Sequence, residues 1–363
     1  MRIGVVASVS HHIESFWLDL ADEIRKMGHV VHFAAGDDAN FERYTRLAGV
    51  TRRPSVSNTR SFGAIRKWVA DKGLDLVITN TATVSTLVRL ADLTVPVVYF
   101  AHGLHWNRET GLGYWVWSTL EKVALKRTAA FIVLNEEDRR WLMDRSSQPV
   151  LRLEFGVGLP LEKFEQSRLP AETRAVWIGE FSKRKRPELA ILATRELLAT
   201  MPTFRLSMLG VGPRLDRCKK LAESLGLRDV ITFHGFTAPG PHLVRSRVLV
   251  HTAAWEGLPR VFLEALASGR RVVAVDAKGV RNIPGVSVVP SALPKELAEA
   301  IQSEMSSEGF SLGGGSREVL STTSAAGHIV EFVQSVHKAY LENSDRQVVL
   351  GKKSGPAPER DSN

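Results

Sequence analysis

Two glutamates in the C-terminal half of the chain hold the positions best suited to chemistry. Glu256 lies in a loop that follows an apolar run, and Glu264 lies inside the helix predicted over residues 259–268. Pro259 suits the first turn of that helix, because its missing N–H costs nothing there. The unpaired backbone N–H groups of the same turn form an anion site that suits a pyrophosphate. Glu256 could act merely as a helix cap, whereas Glu264 interrupts apolar residues and needs a buried or ligand partner.

The elements that must position these glutamates alternate between apolar strands and amphipathic helices. Strands that are nearly all apolar, each followed by a helix, indicate parallel sheets covered on both faces. The pattern stops at a linker near residues 156–170 and then begins again. We therefore predict an α/β fold with two doubly wound, Rossmann-like domains, residues 1–160 and 161–325, separated by a cleft. A long helix follows, whose residues 326–343 are expected to pack back on the first domain, before a disordered tail at 344–363.

The clearest predicted helix lies near the N-terminus. Its apolar residues recur at helical spacing from Ile13 to Met27, and Gly28 ends it. Strands are predicted at 3–7, 30–34, 74–79, 95–100, 129–134, 150–155, 175–178, 204–209, 230–233, 248–252 and 272–275.

The composition is that of an ordinary soluble protein. The chain has 363 residues, of which 44% are apolar and 24% charged, so it can bury a substantial core and is not a disordered or fibrous chain. No apolar run approaches the roughly 20 residues of a membrane span, and the apolar start at residues 3–7 is too short for a signal peptide. Cys218 is the one cysteine, which excludes an internal disulfide. These features predict a cytoplasmic protein.

The net charge of +9 favours an anionic partner, such as nucleic acid, an acidic membrane surface or a phosphorylated substrate. Residues 43–72 carry eight basic side chains against one acid, and residues 113–127 place three aromatic side chains before three basic ones. The second pattern occurs on helices that lie at a membrane interface. The alternatives are a solvated basic surface and an aromatic stripe in the core. We expect peripheral binding to the inner face of an anionic cell membrane.

The stretch from Val248 to Gly269 resembles the E-x7-E signature of retaining glycosyltransferases with the GT-B fold, in glycosyltransferase family 4. Seven residues separate Glu256 from Glu264, and the flanking Glu-Gly-Leu-Pro and Glu-Ala-Leu-Ala-Ser-Gly runs also match. The resemblance implies that Glu256 and the amides of Gly257 and Leu258 hold the donor sugar, and that Glu264 binds the ribose of the nucleotide. It covers about residues 1–285.

Three further segments of the second half are similar to the same family. The loop from Gly179 to Pro187 resembles the one whose lysine neutralises the donor diphosphate, a role that falls to Lys185. Glu180 stands where many members have an arginine, and Lys183 or Arg184 would substitute for it; the alternative is a solvated basic turn. Residues 209–213 match a Gly-x-Gly-Pro turn. Residues 233–236 match the nucleobase site, so Gly235 and Phe236 are expected there, while His234 fits packing equally well.

The first half contributes a cleft loop and two weaker matches. His102 and Gly103 follow an apolar strand, and open α/β sheets bind ligands at that end of their strands. In many relatives a histidine here approaches the donor sugar and the reaction centre, which implies this role for His102. Ser10 and His11 lie in a loop whose contact, with donor or acceptor, stays open. Together with residues 135–138 and 155–158, they resemble enzymes of bacterial capsule and exopolysaccharide assembly.

The implied reaction transfers a sugar from a UDP-linked donor to a saccharide acceptor with retention of configuration, and relatives use lipid-diphosphate acceptors. No Asp-x-Asp motif, metal-ligand spacing or Gly-x-Gly-x-x-Gly fingerprint occurs, so neither a metal nor a cofactor beyond the substrate nucleotide is expected. Lysine and helix amides would stabilise the departing diphosphate. Two alternatives remain at this stage, namely a non-hydrolysing nucleotide-sugar epimerase, and a basic nucleic-acid- or membrane-binding protein with a degenerate site. For the glycosyltransferase itself, no nucleic-acid partner is expected.

Overall fold

The computed structural model describes residues 1–52, 58, 60–104, 119, 121–307, 309–310 and 317–353, with side chains described as far as residue 345. Two parallel sheets dominate it. One spans residues 2–152 and the other residues 174–289, and helices cover both. The predicted fold class, two doubly wound α/β sheets, is confirmed.

Seven parallel strands form the first sheet. They are β1 (Arg2–Val6), β2 (Val30–Ala35), β3 (Tyr44–Arg46), β4 (Leu76–Thr79), β5 (Val97–Ala101), β6 (Ala130–Val133) and β7 (Val150–Arg152). Their spatial order is β3-β2-β1-β4-β5-β6-β7, so the order reverses beside β1. The helices of this part are α1 (Ser10–Phe16), α2 (Leu18–Lys26), α3 (Ser61–Lys72), α4 (Ala82–Leu90) and α5 (Glu136–Met143). Ligands of such sheets bind at the carboxyl ends of the strands, next to the reversal.

Six parallel strands form the second sheet. They are β8 (Arg174–Ile178), β9 (Arg205–Leu209), β10 (Ile231–Gly235), β11 (Val248–His251), β12 (Arg271–Val275) and β13 (Val286–Val289). The spatial order β10-β9-β8-β11-β12-β13 reverses between β8 and β11. Its helices are α6 (Pro187–Leu197), α7 (Leu215–Ser224), α8 (Gly240–Val244), α9 (Arg260–Ala267) and α10 (Pro294–Met305). The loops after β8 and β11 therefore meet at the switch point, and these loops carry Lys185 and Glu256.

Apolar burial on both faces explains why the central strands are continuous hydrophobic runs. Every residue of β4, β5, β6 and β11 is buried. Burial of this kind contributes roughly 25 cal/mol for each Å² of apolar surface removed from water.

The apolar stripe from Ile13 to Met27 forms two helices where one was predicted. The chain bends at Trp17, between α1 and α2, where φ is −119°. Trp17 is fully buried, and its Nε1 atom donates a hydrogen bond of 2.5 Å to Oδ1 of Asn80. The bend directs this side chain into the core of the first sheet.

Two edge strands, β3 and β13, were absent from the prediction. Each has three or four residues, and most of their side chains are only partly buried. Short edge strands lack the long apolar run that signals a central strand.

The last helix, α11 (Thr322–Lys353), follows a 3₁₀ turn at Arg317–Leu320 and ends ten residues beyond the predicted end at 343. Its side chains enter the core of the first domain beside Ile13 and Trp17. The contributing residues are Ala325, Ala326, Ile329, Val330, Val333 and Val336. Thr323 Oγ1 also donates 2.8 Å to Glu23 Oε2 on α2. The rest of the predicted tail, residues 354–363, lies outside the described residues.

None of the helices in the described ranges combines the length and the apolar character needed to cross a bilayer.

Candidate active site

The loop after β11 is held in place by the loop after β8. Arg186 donates from Nε to the carbonyl oxygen of Thr252 at 2.6 Å and from Nη2 to that of Ala253 at 2.8 Å. The hydroxyl of Thr252 donates in return to the carbonyl of Lys185 at 2.6 Å. The two loops therefore hold each other in position through hydrogen bonds from side chains to backbone carbonyls.

The carboxylate of Glu256 lies between two cations. Nζ of Lys185 is 2.5 Å from Oε1, and Nη1 of Arg184 is 2.9 Å from Oε2. Nε2 of the buried His251 is 3.5 Å from Oε1. Glu256 and Lys185 are largely buried, whereas the side chain of Arg184 is 31% exposed. The cations predicted to hold a diphosphate are thus engaged by a carboxylate of the same site.

The charge state of this cluster follows from its surroundings. Burial by itself raises the pKa of the Glu256 carboxyl, but the neighbouring His251 and Lys185 outweigh it and lower that pKa to about 2. Burial also lowers the pKa of the His251 ring, which is therefore neutral near pH 7. Lys185 and Arg184 are thus the countercharges, and Glu256 is ionised.

Glu264 on α9 has a weaker partner. Its carboxylate lies 3.6 Å from Nε of Arg260, one helical turn earlier, and its side chain is 13% exposed. Burial raises the pKa of Glu264, and the Arg260 charge opposes that rise. Arg260 also donates to the carbonyl of Ser15 in the first domain at 3.1 Å. A partly desolvated carboxylate with one distant cation is suited to accept hydrogen bonds from ligand hydroxyls.

Glycine backbones bring the two domains together at this point. A Cβ on Gly257 would lie 1.7 Å from the carbonyl oxygen of His102, and one on Gly103, where φ is +139°, would lie 3.3 Å from Cα of Gly257. Asn135 donates from Nδ2 to the carbonyl of Gly257 at 3.1 Å. Loops from different domains thus form opposite sides of one site.

His102 packs between aromatic rings at the end of β5. Its ring lies 4.3 Å from that of Phe100, nearly parallel, and 5.2 Å from that of Phe16. Nε2 lies 3.2 Å from Oδ1 of Asn80. Burial, together with the charge of His12, lowers the pKa of His102 to about 3, so the ring is neutral at physiological pH.

A buried ion pair fastens the domains together beside the same loops. Nζ of Lys278 lies 2.5 Å from Oδ1 of Asp138 and donates to the carbonyl of Leu104 at 2.7 Å. Oδ2 of Asp138 accepts from the Leu104 amide at 3.0 Å. The amide of Glu256 donates to the carbonyl of Lys278 at 3.0 Å. One lysine therefore links the His102 loop to the Glu256 loop.

A cavity of about 720 Å³ lies at the carboxyl ends of β8 and β9 in the second domain. Gly179, Glu180 and Phe236 line it, and the ring of Phe236 is 88% exposed. Gly210 also lines it, at φ +130°, where a Cβ would lie 1.9 Å from the carbonyl oxygen of Gly179. The backbones of the two loops that line the cavity therefore approach so closely at this point that only a glycine fits at position 210. Gly235 precedes Phe236 at φ +69°.

The remaining predicted site residues, Leu258, Ser10, His11 and Lys183, differ in how far they are buried and in what they contact. Leu258 packs against the cores of both domains. The amide of Ser10 donates to Asp37 at 2.6 Å, at the start of α1. His11 is exposed and lies 3.8 Å from Glu14. Lys183 is exposed beside the Arg184–Lys185 pair. Nothing in the structure tests their predicted roles.

The predicted basic surfaces are only partly described. Residues 105–118 and 120 lie outside the described residues. The three aromatic residues of the 113–127 segment, Tyr114, Trp115 and Trp117, are among them. Lys122, Lys126 and Arg127 are exposed. In the 43–72 segment, Lys67 pairs with Asp71. Within the described ranges, no group of three or more His, Cys, Asp or Glu side chains could hold a metal ion.

Sequence reasoning assigned no individual role to four side chains of this site, His251, Asn80, Asn135 and Lys278, of which Asn135 was named only within the matched run 135–138. Asn135 was detectable, because its Oδ1 accepts from the Asp138 amide at 2.8 Å, a helix cap that the Asn-x-x-Asp spacing encodes. Asn80 and Lys278 meet their partners only across strands or domains, and no local pattern marks them, whereas His251 and its partner Glu256 belong to the same strand–loop segment.

Family models match both halves of the chain. One described as "Glycosyl transferases group 1" matches residues 161–321, and one described as "Glycosyltransferase Family 4" matches residues 13–150. EpsD of Bacillus subtilis (strain 168), named as a glycosyltransferase, is 26% identical over 307 residues, which cover 78% of this chain and 80% of EpsD. Alpha-monoglucosyldiacylglycerol synthase of Streptococcus pneumoniae is 23% identical over 76% of this chain and 71% of its own.

Solved structures share the two-domain fold. Sucrose-phosphate synthase from Thermosynechococcus elongatus superimposes with a TM-score of 0.67 at 18% identity, covering 98% of this chain and 100% of its own. HepE from Anabaena, solved in complex with UDP, superimposes with a TM-score of 0.66 at 18% identity, covering 95% of this chain and 100% of its own.

Replacing Lys278 with Met should lower the free energy of unfolding by about 3–5 kcal/mol, because Asp138 is then a buried charge without its countercharge. Adding Asp138→Asn should recover part of the loss. Urea unfolding followed by tryptophan fluorescence measures both. Lys67→Met, in the exposed pair with Asp71, is the matched control and should stay near the original stability. Equal stability of the Lys278 and Lys67 variants would contradict a buried interdomain pair.

Proposed function

Because the chain belongs to the GT-B glycosyltransferases of family 4, we propose that it transfers a sugar from UDP to a saccharide acceptor with retention of configuration. The observation that carries this proposal is the Lys185–Glu256–Arg184 cluster. It lies at the strand-order switch of the second domain, and the loop that bears Glu256 contacts the His102 loop of the first domain.

The donor nucleotide fits the second domain. The cavity lined by Gly179 and Phe236 offers an open apolar surface for a base, since an exposed aromatic ring can stack on it. Gly235 leaves backbone accessible beside it, and Glu264 would accept the ribose hydroxyls. HepE, which shares the fold, was solved with UDP, and this supports a uridine donor.

The leaving diphosphate would bind Lys185, Arg184 and the amides near Gly257 and Leu258. These groups are fixed before the reaction, so they stabilise the charge that develops on the leaving group at little reorganisation cost. Glu256 orients the sugar, and the acceptor hydroxyl attacks the anomeric carbon from the face that the diphosphate leaves. The bond from that carbon to the phosphate oxygen breaks, and the same oxygen takes the proton of the hydroxyl. This same-face route needs no protein nucleophile.

The acceptor is proposed to be a lipid-diphosphate-linked saccharide of cell-surface polysaccharide synthesis. Two further relatives support this setting, one named as an exopolysaccharide phosphotransferase of Streptomyces coelicolor and one as a colanic acid biosynthesis glycosyltransferase of Salmonella typhimurium. The net charge of +9 and the exposed Lys122, Lys126 and Arg127 suit an anionic membrane surface.

Lys185→Ala should lower kcat by about 100-fold to 1,000-fold while changing the donor KM much less, because charge grows on the diphosphate in the transition state. Initial rates at varied UDP-sugar concentration separate the two constants. Lys183→Ala, an exposed change in the same loop, serves as the control. An unaltered kcat in the Lys185 variant would remove that residue from the mechanism.

Glu256→Gln should bind UDP about fivefold to tenfold more tightly, because the diphosphate no longer competes with an internal carboxylate for Lys185 and Arg184. The same variant should lose transferase activity, since it loses the carboxylate that orients the sugar. Isothermal titration with UDP measures the affinity.

Glu196→Gln is the matched control for that titration, because it removes the same charge from an exposed residue of α6 that does not line the cavity. It should change UDP affinity little. Unchanged or weaker UDP binding by the Glu256 variant, or an equal gain in both variants, would exclude direct competition.

Membrane docking predicts binding to vesicles that contain phosphatidylglycerol, with the bound fraction falling as salt is added. A sedimentation assay with neutral phosphatidylcholine vesicles is the control. Equal binding to both vesicle types at high salt would refute an electrostatic membrane surface.

A further inference from the structure

Two hydrogen bonds that meet at one oxygen connect the core of the first domain to His102. Nε1 of Trp17 donates to Oδ1 of Asn80 at 2.5 Å, and Nε2 of His102 lies 3.2 Å from the same oxygen. Asn80 directly follows β4 and His102 directly follows β5, which are neighbouring strands. Trp17 is fully buried and Asn80 is 3% exposed, so solvent does not compete for these bonds.

The indole determines which end of the Asn80 amide faces the imidazole. An indole N–H only donates, so the Asn80 atom at 2.5 Å must be the oxygen. The amide nitrogen then points towards the carbonyl of Val6, at 3.5 Å. An amide oxygen only accepts, so His102 can bond to it only with a hydrogen on Nε2. The neutral ring therefore has its lone pair on Nδ1.

The surroundings of His102 keep the ring neutral and fix its plane. Phe100 stacks on it with an interplanar angle of 17°, and burial disfavours the imidazolium. A positive charge on His12 of α1 would act in the same direction, but burial, and then the charges of His11 and Arg52, lower the pKa of His12 as well. Asn80 is uncharged, so it does not favour a positive charge on the His102 ring.

We propose that Asn80, anchored by Trp17, is a positioning residue that commits His102 to the tautomer with hydrogen on Nε2 and a lone pair on Nδ1. In this state His102 accepts a hydrogen bond from a sugar hydroxyl and does not serve as a proton donor. The sugar contact rests on the proposed function, whereas the tautomer is a property of the chain without substrate.

The tautomer is measured by ¹⁵N NMR on ligand-free protein labelled at the histidine ring nitrogens. The His102 signals are assigned by their loss in His102→Gln. At pH 7 we expect a protonated Nε2 and an unprotonated Nδ1, and in Asn80→Ala a shift towards the other tautomer. A hydrogen on Nδ1 of the unaltered chain, or a tautomer that Asn80→Ala does not change, would overturn the assignment. This result does not depend on any transferase activity.

The functional consequence is measured with Asn80→Asp, which keeps the side-chain shape but adds a negative charge. The carboxylate favours the imidazolium and raises the pKa of His102. Because the charged ring has no lone pair, kcat should fall about tenfold for each pH unit below the new pKa and recover as the pH rises through it. The unaltered chain should show no such step.

The matched control places Asn80→Asp in a His102→Gln background, where no ring remains to titrate. The pH step should disappear there. A step that persists in this background would show that a group other than His102 titrates, and a uniform loss of kcat at every pH in Asn80→Asp alone would show that Asn80 acts only through folding. Either result would overturn the positioning role.

Discussion

The close approach of two loops from different domains is the constraint on which the site depends. Where Gly257 meets the carbonyl of His102, any side chain at position 257 would occupy the space of that oxygen. Within the second domain, a Cβ on Gly279 would lie 2.4 Å from the carbonyl oxygen of Glu256, which holds the loop before Gly257 in place. At Gly257 the backbones of the two domains therefore pack directly on each other. Glu256 and His102 keep their relative positions only while the domains stay in this arrangement.

Charge accounts for how that arrangement is selected. A buried ion pair such as Lys278–Asp138 contributes little net stability, because the cost of desolvation offsets the attraction. An arrangement that buries one of the two charges without the other is strongly destabilised. The pair therefore acts mainly by selecting one alignment of the domains. The Lys185–Glu256 pair follows the same physics within one domain, where an internal carboxylate keeps the cations neutralised until another anion arrives.

The sequence predicted those parts of the site that are local. Glu256 and Glu264 stand out by their positions in a strand–loop–helix unit, Lys185 is assigned from the family resemblance, and the sheet class follows from the alternation of apolar runs with helices. Phe236 and Gly179, both assigned to the donor site from the resemblance, line the same cavity. These features depend on neighbours in the chain, and local patterns record them well.

The remaining parts depend on contacts between distant residues. Asn80 and Trp17 meet across 63 positions, and Lys278 reaches Leu104 across 174. Nothing near Lys278 distinguishes it from a surface lysine, and the bend at Trp17 interrupts a helical period that has no proline or glycine to mark it. These residues are brought together only by the fold, and no pattern of neighbouring residues in the sequence shows that they lie close in space.

The path of α11 has a consequence for how the molecule can be divided. The core of the first domain is built from residues of the N-terminal half and from Ile329 and Val333 near the other terminus. That domain is therefore discontinuous in the chain, with the whole second domain inserted between its two pieces. A nascent chain cannot complete the first domain until its last helix has left the ribosome, and a gene split between the two sheets would separate this core from its own final element.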